Sequence, residues 1–319
     1  MNKRVLRSFL VLLCFVFVFS CRPGKDNANI EKRYKTFPCP PILKTDAAWI
    51  VLEWNGKPRY GGYGSGFLVD KESGAFFTNK HVSDMFNMLG QGSHKIFFNC
   101  EVHDVAIVKV PPLRDAAVIK ITDSFNSSNF FGPAPIATEK VKVGDKVTVE
   151  GFHPHPYVLR ELNRAEGGYN ELLVPIYQKY YRTKIYYGGR MTSNLDDEME
   201  IVFEKITGTI FKIGTHVNFG DDFPGIVDRA RNMANTYIMV KTDKDHKFPF
   251  SGLSGEAVKN IKGETVGILT LGPKEDFEID KEETKRNADG KTYLKKVFKT
   301  FGFTPIRSVE NLKLYLNKH

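Results

Sequence analysis

What this chain has little of narrows its reading first. Cysteine occurs four times in 319 residues, never as Cys-x-x-Cys and never at a Cys/His spacing that would hold a metal. Metal catalysis is therefore not expected, and no cofactor is implied. No apolar run reaches the roughly 20 residues that a membrane-crossing helix needs. The longest, Phe9 to Phe19, stops after eleven. Charge of one sign is not dominant either: 46 Lys and Arg stand against 37 Asp and Glu, and three of the nine excess positive charges are Lys3, Arg4 and Arg7. So modest and dispersed an excess implies no nucleic-acid partner. Helical periodicity is scarce, confined to Pro224–Ala234 and to Ser308–Asn317, where Val309, Leu312 and Leu316 fall on one face. That disfavours an α/β solute-binding protein. What is present, 41% hydrophobic and 13% aromatic residues, is enough to bury a sizeable core and excludes a disordered chain.

The first twenty residues read as an address. A basic start, the short apolar run and then Val18-Phe19-Ser20-Cys21 resemble a bacterial lipoprotein signal, in which cleavage leaves the cysteine as a lipidated N-terminus. The expectation is removal of residues 1–20, a membrane anchor at Cys21, and a tether over residues 21–45 that stiffens at Phe37-Pro-Cys-Pro-Pro41. The resemblance implies a bacterial cell-envelope location. Arg22 after the cysteine further suggests the outer membrane, facing periplasm or surface. Cys39 and Cys100 are expected as buried free thiols, a disulfide between them being the alternative.

From residue 46 onward, short apolar or alternating runs are separated by turn signals. Ala47–Trp54, Ser65–Val69, Ala75–Thr78, Lys95–Asn99, Val105–Val110, Ala116–Ile121 and Lys146–Val149 form one series. Glu200–Phe203, Thr207–Ile213, Thr236–Val240, Glu256–Val258 and Thr265–Leu271 form a second. Such spacing predicts an all-β sandwich or barrel. Between the series lies 152–199, rich in Tyr, Arg and Lys around Tyr177–Arg190; in an exported chain this reads as a solvated strand face or a substrate rim, not a nucleic-acid site. His153-Pro-His155, in a proline-punctuated stretch with no third ligand nearby in sequence, is expected at the surface.

Chemistry is suggested by three separated motifs. Gly64-Ser-Gly-Phe-Leu-Val69 precedes Gly74-Ala-Phe-Phe-Thr-Asn-Lys-His81; His103-Asp104 and Arg114-Asp115 each open a strand of the form Asp-x-Ala-x-x-Lys or close to it; and Phe250-Ser-Gly252-Leu-Ser254-Gly255-Glu-Ala-Val258 precedes Val266-Gly-Ile268. Together these resemble the trypsin-like (chymotrypsin-fold) serine peptidases, with HtrA-like members without a PDZ domain the nearest in pattern. The resemblance implies two six-stranded antiparallel β-barrels, over 46–151 and 200–319, with 152–199 as an insertion and a C-terminal helix. It also implies Ser254 as nucleophile, His81 as general base, a carboxylate to orient that base, and the amides of Gly252 and Ser254 as oxyanion donors. Of the two carboxylates, Asp115 fits the family's order of strand, proline turn and later Val143-Gly-Asp145 turn; Asp104 is the alternative.

Two departures accompany the match. Glu256-Ala257 stands where the family has Gly-Pro or Ser-Pro, and Leu253 stands where zymogen-type members carry Asp. The implied specificity pocket has Phe248 at its floor and Thr270, Leu271 and Gly272 along its wall, which predicts cleavage after small or medium apolar residues. The expected function is a membrane-tethered endopeptidase acting on protein or peptide substrates. An inactive envelope binding protein on the same fold is the rival.

Overall fold

The computed structural model describes residues 43–54, 57–87, 93–109, 115–156, 172–173, 185–187, 197–215, 237–246, 250, 252–270, 283–286, 292–295 and 298–306. Outside them lie the leader, Cys21, Cys39, both segments expected to be helical, Phe248, Leu271, Gly272, and most of 157–196 with its Tyr- and Arg-rich stretch.

The first six strands are β1 (Ala47–Trp54), β2 (Lys57–Asp70), β3 (Ala75–Thr78), β4 (Ser93–Phe98), β5 (Glu101–Lys109) and β6 (Ala117–Ile121), with the helix α1 (Lys80–Asn87) after β3. They close into an antiparallel barrel in the order β1-β2-β3-β6-β5-β4. Then follow β7 (Lys146–Pro156), β8 (Leu172–Leu173), β9 (Ile185–Tyr187), β10 (Asp197–Thr215), β11 (Tyr237–His246), β12 (Ala257–Asn260), β13 (Thr265–Thr270), β14 (Glu283–Arg286), β15 (Thr292–Lys295) and β16 (Phe298–Pro305). Six of these run β11-β16-β13-β12-β7-β10 and close through the β10–β11 pairing into a second barrel. β8 and β9 pair with β10, and β14 and β15 form a separate hairpin. The fold is the trypsin-like double barrel.

Strand β1 shows why its sequence is apolar from Ala47 to Leu52 rather than alternating. Ala48, Ile50 and Leu52 pack with Leu68, Phe76, Ile96 and Ile119 inside the first barrel. The intervening Ala47, Trp49 and Val51 pack with Phe152, Ile201 and Phe203 of the second. A strand caught between two cores has no polar face to keep. A second seam joins Phe67, Phe77 and Val118 to Ala257, Ile268 and Ile306.

Two boundaries differ from expectation. β7 pairs with β10 and β12, so it belongs to the second barrel, and the division expected at 151 falls inside a strand. The Val143-Gly-Asp145 turn explains this. Gly144, at φ 96°, donates its amide to Ile210 O, and Ile210 N donates to Asp145 O, docking the turn on β10. The ends of 152–199 are likewise strand, belonging to β7 and β10. Cys100 is disulfide-bonded rather than a free thiol. It sits with Asn99 in the tight β4–β5 turn, both at left-handed φ (62° and 46°), so the covalent bond pins a strained two-residue hairpin.

Candidate active site

Thr78, Asn79 and His81 leave the end of β3 and start α1, a junction held by three side chains. Thr78 Oγ1 donates to Ser65 O (2.6 Å), and Asn79 Nδ2 donates to Asp115 O (2.9 Å) and lies 3.3 Å from Thr270 Oγ1. His81 thus meets Asp115 at two atoms. Its backbone N–H donates to Oδ1 (2.9 Å), and its ring Nδ1 lies 2.8 Å from Oδ2. Asp115 is wholly buried and His81 nearly so. With both carboxylate oxygens engaged, the imidazole is held in one orientation with Nδ1 toward Asp115. Asp104, the other candidate, instead pairs with Lys95 across β4 and β5.

The loop carrying Ser254 is folded back on β2. Ser65 N donates to Ser254 O (2.8 Å), and Ser65 Oγ donates to Gly252 O (2.6 Å). Within the loop, Leu253 N donates to Phe250 O, Gly255 N to Leu269 O and Glu256 N to Leu253 O. These bonds occupy the amides of 253, 255 and 256; those of Gly252 and Ser254 are not among them. Gly252 (φ 92°) and Gly255 (φ 101°) are required as glycines. A Cβ on Gly255 would come within 2.0 Å of Ser65 O, and one on Gly252 within 2.7 Å of Pro154 Cδ. The structure therefore gathers the Ser254 loop, the β2 segment and the His81 junction onto one framework. It does not join Ser254 to His81 by a hydrogen bond, since Ser254 Oγ is shielded from solvent and has no partner.

Glu256, two residues on, is buried, with the Ala257 amide and the Ser65 hydroxyl the weak polar influences that favour its charged form. Burial, reinforced by the charge of Asp46 and only partly opposed by Lys259, pushes its carboxyl well above the usual range. Thr270 is buried, and its hydroxyl bonds Thr304 Oγ1 at 3.0 Å, so it has no polar side-chain atom to spare for a ligand.

His153 and His155 are not at the surface. Both are fully buried on one face of β7, together with Glu204 of β10 and His246 of β11. Period-two alternation could have placed the two histidines on the same face, but Glu204 and His246 are 49 and 91 residues further on from His155, and no local pattern joins them. Ser65, Thr78 and Asn79, which set the framework, were likewise inside recognised motifs without an assigned role.

Comparison with solved structures finds similar chains. Deg5 matches 86% of this chain and 90% of its own at 17% identity and a TM-score of 0.46. A serine endoprotease from Yersinia pestis matches 87% of this chain and 65% of its own at 16% identity and 0.45. An inactive form of Rv3671c from M. tuberculosis H37Rv matches 88% and 92% at 13% identity and 0.44. No family model matches the sequence, and no curated protein does.

Proposed function

We propose that the chain is a serine endopeptidase in which Ser254 attacks the peptide carbonyl, His81 Nε2 takes the hydroxyl proton and returns it to the leaving amine, and Asp115 holds the imidazole in the required tautomer. The Gly252 and Ser254 amides stabilise the oxyanion, and water then releases the acyl group from Ser254. The observation that carries this reading is the two-point grip of Asp115 on His81 in a buried setting. A purely structural histidine has no need of a carboxylate on both its backbone and its ring. The unpartnered Ser254 Oγ fits a nucleophile whose bond to the base forms when substrate arrives, as such contacts often tighten only in the complex.

The chain acts from a lipid anchor at Cys21 in the bacterial envelope, a reading supported by the leader and its Ser20-Cys21 junction. Its tether and Leu253 leave no partner for zymogen-style activation, so chains beginning at any residue from 22 to about 38 are equally active. Phe248 at the pocket floor, with Thr270, Leu271 and Gly272 alongside, selects Val, Ala or Leu before the scissile bond. A peptide library offered to the chain from residue 22 tests this. Wild type cleaves after those residues, and His81→Ala does not cleave. Dominant cleavage after Arg, Lys or Glu would overturn the pocket assignment, and activity only after an internal cut would overturn the activation claim.

A second reading, an inactive envelope binding protein, is favoured by the same shielding of the Ser254 hydroxyl. Folded wild-type protein that cleaves nothing would support it.

A further inference from the structure

We propose that His153, His155, Glu204 and His246 form a closed, four-ligand zinc site that braces the loop carrying Ser254. It lies apart from the His81–Asp115 pair and does not depend on the chain being a peptidase.

The four side chains converge. His153 Nε2 lies 2.6 Å from Glu204 Oε2, His155 Nε2 lies 2.9 Å from His153 Nε2 and 3.5 Å from Glu204 Oε2, and His246 Nε2 lies 2.9 and 3.0 Å from the two oxygens of Glu204. The four ligand atoms all fall within 4.8 Å of one another. Four-coordinate zinc with bonds of about 2.0–2.1 Å needs ligand atoms about 3.3–3.4 Å apart, so the 2.6 Å pair would open by about 0.7 Å and a pair at the 4.8 Å limit would close by about 1.4 Å to seat the ion.

Protons alone serve this arrangement poorly. A ring nitrogen has either one N–H or one lone pair, in the ring plane. If His153 Nε2 donates to Glu204, it has no lone pair to accept from His155 Nε2; if it accepts from His155, it has nothing to give Glu204. Between these two neighbours, His153 Nε2 can offer no more than a single proton split between two acceptors. A cation at the centre uses the lone pair of every Nε2 and a carboxylate oxygen at once. Burial adds to the case. All four residues are at most 3% exposed, and among the described residues the only ionic partners of Glu204 are these histidines. A buried carboxylate requires compensating charge, which a divalent ion supplies.

Three imidazoles and a carboxylate suit zinc among divalent metals, and four protein ligands leave no open position, which marks a structural site. Its location explains what it would hold. Pro154, between the two β7 histidines, abuts Gly252; Phe152 O, one residue before, lies 3.2 Å from the Ser65 hydroxyl that binds Gly252 O; and His246 stacks on Phe250, ring centroids 4.9 Å apart. The cluster thus ties β7, β10 and β11 to the base of the Ser254 loop.

The test uses the full chain and metal alone. Protein stripped with a chelator and dialysed is titrated with Zn2+, following metal content and thermal midpoint, and in parallel with Co2+, whose four-coordinate complexes give intense visible bands. The expected result is one Zn2+ per chain, a midpoint raised by about 5 °C or more at high excess, and a tetrahedral Co2+ spectrum. His155→Ala and Glu204→Gln should each bind Zn2+ about 100-fold or more weakly. His103→Gln, which removes a histidine held by Glu101 and Asp123 elsewhere, should bind like wild type. Wild type that takes up no stoichiometric zinc, or variants that bind it as well as wild type, would overturn the proposal. Should the variants not fold, the wild-type Co2+ spectrum decides: octahedral or absent bands refute it.

Discussion

His81 and Glu204 stand at the centres of two buried histidine–carboxylate groups, and the groups differ in which partner is outnumbered. At His81 one imidazole meets one carboxylate, which holds it through backbone and ring. At Glu204 one carboxylate meets three imidazoles, all through Nε2. The first arrangement turns Nδ1 toward its carboxylate and fixes the orientation of a single ring. The second spends every Nε2 inward. Burial alone would raise the Glu204 carboxyl, but the charge of His246 and the hydrogen bonds from His153 and His246 outweigh it and hold the group well below the usual range. Glu256 experiences similar burial without histidines and moves in the opposite direction. A carboxylate's neighbours, more than its depth, decide what it can do.

The largest effect expected from breaking this contrast is on Asp115→Asn. The asparagine Oδ1 still accepts from the His81 amide, but its NH2 now faces Nδ1 and forces the imidazole into the tautomer with its proton on Nε2. Peptide hydrolysis should fall by about 10⁴-fold with little change in thermal midpoint. A loss under tenfold would mean His81 is not the base. Glu204→Gln should show the reverse pattern: the midpoint falls by several degrees, while turnover falls only as far as the loop loosens, within about tenfold. A loss as large as that of Asp115→Asn, without destabilisation, would make Glu204 part of the chemistry.

The smallest effect belongs to Glu256→Gln. Glu256 holds its proton more tightly folded than unfolded, so its contribution to stability is full below its ordinary value of 4.5 and is lost as pH rises from there toward the raised folded value. The glutamine variant, which cannot ionise, should match wild type at pH 4 and be slightly more stable at pH 8, as read from denaturant midpoints. A variant less stable at pH 8 would mean that the carboxyl is charged and paired.

Much of the first barrel was legible in sequence where a strand is short, apolar and closed by a turn. Ala47–Trp54 and Ala75–Thr78 fall on the expected residues. The second barrel was less so. β10 continues through Glu204, Lys205 and Ile206, where the sequence suggested a break between two strands, because the charged Glu204 faces the buried histidines instead of solvent. β16 escaped notice although Phe301 and Phe303 alternate inward, since Lys299 and Gly302 diluted its apolar character. In the candidate site, ordered motifs pointed to His81, Asp115 and Ser254. The histidine cluster was not legible, because its ligands meet only through strand register across three strands.

The central claim is that Ser254 is an activated nucleophile, and covalent labelling tests it most directly. The chain from residue 22 is incubated with a fluorophosphonate and digested, and the modified peptide is mapped by mass spectrometry. The account predicts one phosphonyl group on Ser254 in wild type, and none in Ser254→Ala, in His81→Ala, or in wild type unfolded beforehand. Folded wild-type protein left unlabelled, or labelled at another residue, would contradict it.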